Sequence, residues 1–145
     1  MKIMTKYHGE MDVDENDLWH FNKGIPGFLE EKQFLLYPLA DQDVFSILQS
    51  VVHSEIAFIV ANPFAFFKDY EFNLDENVLA TLDIGNENEV CPLVILTLED
   101  TLENSTANLQ APIILNMKNH HAKQIILHET DYQTKHPLSL KAEQG

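Results

Sequence analysis

Seven histidines are the first residues in this sequence that could do chemistry, because imidazole nitrogens bind transition metals. His120 and His121 are adjacent, and His128 follows seven residues after His121. Zinc sites usually contain a pair spaced as C-x₂₋₄-C or H-x₃₋₅-H, and adjacent residues on a strand point to opposite faces. We therefore predict no metal site and place His120 and His121 in a solvated hairpin loop.

Motifs for nucleophilic or phosphate chemistry do not occur in the sequence, which has no G-x-S-x-G, P-loop or G-x-G-x-x-G. Cys91 precedes Pro92 at the head of an apolar run, so a buried, inert thiol is favoured over a nucleophile. Carboxylates such as Glu71 and Asp100 could pair only through the fold. The sequence favours a non-enzymatic protein without a cofactor, with a small β-barrel enzyme whose site is lined by carboxylates as the alternative.

The charge balance restricts the kind of partner. There are 23 acidic and 9 basic residues, which give a net charge of −14. Phosphate groups repel such a surface, so we expect no direct binding to nucleic acid and none to a membrane. The acidic clusters either keep the protein soluble or form a face for a basic partner.

Length and composition indicate one globular domain. The chain has 145 residues and a hydrophobic fraction of 45%, which suits a single domain over residues 1–145 that folds without a disulfide or metal. Residues 1–8 lack the apolar stretch of a signal peptide, and no apolar run reaches the ~18–20 residues of a membrane helix. With a single cysteine, these features predict a cytoplasmic protein whose tail is mobile from about residue 138.

Short apolar runs separated by turn residues predict a mainly β protein, a compact β-barrel-like single domain with a few short helices. The predicted strands occupy residues 2–8, 34–37, 44–48, 56–61, 70–74, 93–98, 113–115 and 124–127. Pro26 and Gly27 predict a type II turn. Asn62 followed by Pro63 predicts one helix start, and residues 75–82 predict a second short helix.

The aromatic stretch at residues 64–70 (FAFFKDY) has two interpretations. All of its rings pack into the core, or one or two reach the surface as an apolar anchor beside acidic residues. Protein interfaces are enriched in such partly exposed aromatic side chains.

Several short motifs follow one another along nearly the whole chain. They are residues 23–28 (KGIPGF), 34–39 (FLLYPL), 48–50 (LQS), 57–63 (AFIVANP), 69–70 (DY), 108–116 (NLQAPIILN) and 123–127 (KQIIL). No single motif is specific, but their order and spacing over about residues 3–138 resemble the flagellar assembly factor FliW family. The loops at residues 86–89 and 103–105 match no family pattern, so no partner contacts are predicted there.

The resemblance implies a small β-barrel-like protein of the bacterial cytoplasm that binds newly made flagellin as a chaperone-like partner. It also implies binding to the carbon storage regulator CsrA, an RNA-binding repressor of translation. In this family, export of flagellin releases the assembly factor, which then takes up the repressor so that flagellin translation resumes. The resemblance favours a non-competitive route, in which the assembly factor binds the regulator away from its RNA site.

Residue roles follow from clustering and from the resemblance. We assign the acidic residues after the aromatic stretch to a face that binds the regulator: Asp69, Glu71, Asp75 and Glu76. We assign the apolar residues beside the predicted turn to a groove that binds flagellin: Phe21, Ile25 and Phe28. For residues 24–28 the alternative is that they only shape the entry to the barrel, and for the whole chain a plain structural subunit is a third possibility.

Overall fold

Antiparallel β-strands dominate the fold, as the sequence predicts. The computed structural model describes residues 1–39, 44–128 and 130–138. Its strands are β1 (Lys2–Thr5), β2 (Gly9–Asp12), β3 (Trp19–His20), β4 (Gln33–Pro38), β5 (Phe45–Ser50), β6 (Ala57–Ala61), β7 (Val90–Thr97), β8 (Thr106–Ala107), β9 (Ile113–Asn116), β10 (Ala122–Gln124) and β11 (His136–Pro137). One α-helix, α1, spans Glu76–Thr81, and short 3₁₀ turns lie at Glu15–Asp17, Pro63–Ala65, Glu87–Glu89 and Leu102–Asn104.

The main sheet is nearly, but not fully, closed on itself. Its strands pair in the order β10-β9-β7-β6-β5-β4-β3. Strand β8 also pairs with β7, and β11 pairs with β8, while β1 and β2 form a separate hairpin. The two ends meet through one isolated parallel bridge between His20 and His121. The mainly β fold is thus confirmed, but the sheet is not a closed barrel, since one bridge replaces a continuous ladder between β3 and β10.

The core lies where the central strands bury their apolar side chains. Phe34, Leu48 and Val60 come from three consecutive strands and are fully buried in one cluster with Phe21 and Ile113. Burying a side chain of this size stabilises the fold by roughly 1.5–3 kcal/mol, so this cluster holds the strands together. No helix in the described ranges is long and apolar enough to span a membrane.

Both predicted helix starts are confirmed. The Asn62 side chain accepts a hydrogen bond from the Phe64 amide at 2.9 Å, although the helix that follows is a single 3₁₀ turn. The Asp75 carboxylate caps α1 by accepting from the Val78 amide at 2.9 Å. Asparagine and aspartate satisfy the free amides of a first helical turn in this way.

The predicted strand at residues 70–74 is wrong. Its side chains do alternate, with Tyr70 buried and Glu71 exposed, but the segment forms no ladder with any described strand. The alternation of apolar and polar residues determines which side chains are buried, but a β-strand also needs a neighbouring strand with which it pairs in register. The strand predicted at residues 124–127 is displaced: β10 is Ala122–Gln124 and shares only Gln124 with the prediction. The predicted mobile tail beyond Leu138 lies outside the described residues.

The predicted turn at Pro26 and Gly27 is confirmed. Phe28 donates its amide hydrogen to the Ile25 carbonyl at 2.6 Å, and Gly27 has φ of +88°, as the third position of a type II turn requires. Gly24 has φ of +69°, and a Cβ at this position would overlap the Leu29 carbonyl. Only glycine therefore fits at the start of this loop.

We expect Gly24→Ala to lower the free energy of unfolding by about 2–5 kcal/mol. A positive φ costs a non-glycine residue about 1–2 kcal/mol, and the overlap with the backbone adds the cost of an overpacked site. Urea denaturation followed by circular dichroism measures the loss. Gly27→Ala is the matched control, because nothing lies within 4 Å of its added Cβ. Equal losses in the two variants would show that the overlap contributes nothing.

Candidate partner-binding surfaces

The four acidic residues assigned to a partner all reach solvent. We call Asp69, Glu71, Asp75 and Glu76 the acidic face. Among the described residues, no lysine, histidine or N-terminal nitrogen lies within 4.0 Å of their carboxylates. Asp75 also caps α1, so part of its hydrogen-bonding capacity is used inside the fold. The acidic face is therefore available to cations from outside the described chain.

A recess of about 360 Å³ brings two members of the acidic face together. We call it the acidic recess, and it lies between residues 71–75 on one side and residues 125–128 with Thr130 on the other. It is lined by Glu71, Phe72, Asn73, Asp75, Val78, Ile125, Ile126, Leu127, His128 and Thr130. The buried residues Val78 and Ile125 form its floor. Asp69 and Glu76 do not line it.

A second, more apolar groove of about 540 Å³ lies beside the recess. We call it the apolar groove. Its apolar lining includes Phe64, Leu74, Leu79, Ile84, Val90 and Pro92. Glu71, Phe72 and Asn73 line both depressions, so residues 71–73 form the ridge between them. Apolar contact area and negative charge thus lie next to each other on one surface.

Two tyrosines hold the ridge in place. Tyr70 is buried and donates its hydroxyl hydrogen to the Leu109 carbonyl at 2.7 Å. The Tyr132 hydroxyl accepts from the Glu71 amide at 3.0 Å, and the two rings lie 4.6 Å apart. Burial, and secondarily the nearby Tyr132 phenol, raises the pKa of Tyr70. The Tyr70 hydroxyl therefore stays protonated at neutral pH and keeps donating.

Each of the two interpretations of the aromatic stretch at residues 64–70 holds for part of it: some rings pack into the core and one reaches the surface. Tyr70 is buried, and Phe66 and Phe67 are half-buried against the core. Phe64 is 44% exposed and lines the apolar groove. One ring of the stretch is thus available as a surface anchor beside the acidic face.

The three residues assigned to a flagellin groove do not lie on one surface. Phe21 is 0% and Ile25 is 1% exposed, and both belong to the core. Phe28 is 39% exposed and packs edge-on against Phe58, with ring centroids 5.3 Å apart. Phe21 and Ile25 therefore have no side-chain surface to offer in this conformation, because both side chains pack into the core. Leu29, which the sequence reasoning missed, is 64% exposed.

A buried carboxylate fixes the loop that carries Phe28. Glu31 is buried and accepts a hydrogen bond from the Ser50 hydroxyl, and its other oxygen lies 2.7 Å from Nδ1 of His53. The Glu31 amide also donates to the Phe28 carbonyl at 3.1 Å. Because the carboxylate lies between serine and histidine, the imidazole does not take the serine proton as a catalytic triad requires. The arrangement orders the loop, and no sequence motif revealed it.

The histidines and the cysteine do not build a reactive site in the described ranges. No three metal-binding side chains come together there. His120 has φ of +61° and stacks on Trp19 at 4.1 Å, so it is half-buried rather than solvated. The loop lies between β9 and β10 as predicted, but the sequence does not show that Trp19 lies against His120. Burial raises the pKa of the Cys91 thiol, which keeps it in its unreactive form.

Comparison with known proteins gives matches over nearly the whole chain. The family model described as FliW protein matches residues 2–138. The flagellar assembly factor FliW of Bacillus subtilis (strain 168) is 54% identical over 138 residues, which are 95% of this chain and 96% of that protein. The flagellar assembly factor FliW of Bacillus pumilus (strain SAFR-032) is 51% identical over 140 residues, 97% of each chain.

A solved structure agrees in fold as well as in sequence. The crystal structure of the flagellar assembly factor FliW superposes with a TM-score of 0.91 at 48% identity, over 95% of this chain and 96% of that one. These names describe assembly factors and no enzyme, in agreement with the prediction of a non-enzymatic protein. The family match and the identities over nearly the full length confirm the resemblance seen in the sequence: the chain belongs to the FliW family.

Proposed function

We propose that this chain is a cytoplasmic flagellar assembly factor that binds flagellin and the regulator CsrA and relieves repression of flagellin mRNA translation. The observation that carries the proposal is the acidic face, whose four carboxylates are exposed and have no described cation beside them. One of these four residues, Glu71, also lines the apolar groove, and the chain has a net charge of −14. Membership of the FliW family supports a role of the chain in flagellar assembly.

The acidic face suits a partner that binds RNA. Proteins that bind nucleic acid carry clustered lysine and arginine side chains, which are complementary to exposed carboxylates. A bound protein with a net charge of −14 also repels RNA phosphates through its field. The regulator can therefore lose affinity for RNA without having its RNA site covered, which is the non-competitive route.

The loop at residues 24–31 suits an apolar segment of flagellin. Phe28 and Leu29 are exposed on a loop that the Gly24 conformation and the buried Glu31 carboxylate hold rigid. Phe21 and Ile25 support this loop from the core rather than contact the partner. A rigid apolar surface loses little conformational entropy on binding, which favours affinity.

We expect the double variant Asp69→Lys and Glu71→Lys to bind the regulator about tenfold or more weakly at low salt. Reversing two charges replaces attraction by repulsion, mainly through a slower association rate. The difference should shrink as salt is raised, because the Debye length falls from ~30 Å at 0.01 M to ~3 Å at 1 M. Surface plasmon resonance at a series of salt concentrations measures both effects.

The matched control for this experiment is the double variant Glu55→Lys and Glu103→Lys. Both residues are exposed, and they lie outside the acidic face and both depressions. The change in net charge is the same, so the control measures the effect of overall charge alone. Equal weakening in the two double variants would remove the acidic face from the proposal.

We expect Phe28→Ala to weaken flagellin binding about tenfold or more while leaving regulator binding unchanged. Removing an aromatic anchor from an interface commonly costs ~2 kcal/mol or more. Isothermal titration calorimetry with purified flagellin measures the affinity. Leu98→Ala is the control, because Leu98 is 38% exposed and lies outside the loop. Wild-type flagellin affinity in the Phe28 variant would exclude the loop as the flagellin site.

A further inference from the structure

Residues 125–128 follow β10, and their outer edge beside the acidic recess has backbone groups that pair with no described residue. Ile125 and Leu127 donate their amide hydrogens to the carbonyls of Pro112 and Gln110 at 3.0 and 2.8 Å, which continues the register of β10 on β9. Successive amides in a strand point to opposite edges. The amides of Ile126 and His128 therefore point to the other edge.

These outward amides have no hydrogen-bond partner among the described residues. Neither Ile126 nor His128 donates an amide hydrogen bond to any described residue, although both residues line the acidic recess. Exposed strand edges of this kind are templates for pairing with another chain. The edge is short, which limits uncontrolled aggregation.

The opposite wall of the recess, formed by residues 71–75, also has backbone groups that pair with no described residue. Residues 70–74 alternate in burial as a strand does, yet Phe72, Asn73 and Leu74 form no backbone hydrogen bond with a described residue. The segment is instead held at one end by Tyr70 and Tyr132 and at the other by the Asp75 cap. Within the described ranges, both walls of the recess thus have backbone donors and acceptors without a partner.

We propose that the acidic recess is a strand-addition site, in which an extended basic segment of a protein partner pairs with the edge of residues 125–128. The partner assigned to the acidic face is the regulator, so this inference rests on the proposed function and specifies how the regulator is held. Main-chain hydrogen bonds supply affinity in strand addition, and the pockets for alternate side chains supply specificity.

The lining of the recess specifies the side chains of the added segment. Phe72, Val78 and Ile125 receive its apolar residues, which point inward at every second position. Glu71 and Asp75 line the recess and select lysine or arginine. The same carboxylates and the net charge of −14 exclude a nucleic acid strand.

Ile126→Pro tests the site by removing one outward amide. Proline is tolerated on edge strands, and the lost N–H is one that the fold itself does not use. Ile126→Ala is the matched control, because it keeps the amide and removes the same exposed side chain. We expect the proline variant to bind the purified regulator about fivefold to tenfold more weakly than the alanine variant, with unchanged flagellin affinity.

Amide hydrogen exchange of the wild-type protein gives a readout that does not depend on a variant folding. Binding of the regulator should slow exchange at Ile126 and His128 at least tenfold, while Ile125 and Leu127, which are already bonded, change much less. Equal affinities of the two Ile126 variants, together with unchanged exchange at these amides, would overturn strand addition. An equal loss of flagellin affinity in the proline variant would also overturn it, because the site would not select the regulator.

Different results would contradict the proposed function and the strand-addition site. If wild-type protein does not bind the regulator, the proposed function and the strand-addition site both fail. If the regulator binds and reversal of the acidic face weakens it, but the outward amides exchange as in the free protein, only strand addition is overturned. The acidic face would then bind through side chains alone.

Discussion

The burial of a layer of apolar side chains by antiparallel strands is the constraint on which the rest of this structure depends. Phe34, Leu48 and Val60 contribute to it from consecutive strands, and a slip of one residue in any strand would turn these side chains to solvent. The register is therefore strongly specified. Among the described residues, the ends of the sheet meet through the isolated His20–His121 bridge, so the sheet keeps an open edge, and residues 125–128 lie at it.

Buried polar groups position the segments that lie outside this layer. The Tyr70 hydroxyl anchors the ridge between the two depressions, and the Glu31 carboxylate anchors the loop that presents Phe28. A buried polar group without its partner costs about 1–3 kcal/mol, so these segments have little freedom to move away. The surfaces assigned to partners are consequently ordered before binding, which reduces the entropy lost on association.

Charge has a separate role from packing. The acidic face contributes little to the fold, apart from the Asp75 cap on α1, and its carboxylates lie in water where exposed pairs contribute only ~0–1 kcal/mol. These acidic residues can therefore determine which partner binds without reducing the stability of the fold. The same surface offers backbone groups at the edge of residues 125–128, so charge and main-chain pairing can act on one partner segment.

The sequence alone determined the class of fold, the helix caps at Asn62 and Asp75, the turn before Phe28 and the family, because these depend on local pattern and on the order of motifs. Only the tertiary structure decided which candidate residues reach solvent. Phe21 and Ile25 are as apolar as Phe28, and the local sequence pattern cannot distinguish a buried apolar side chain from an exposed one. Likewise, the alternation at residues 70–74 predicted a strand, but whether a strand forms depends on a neighbour that is distant in sequence.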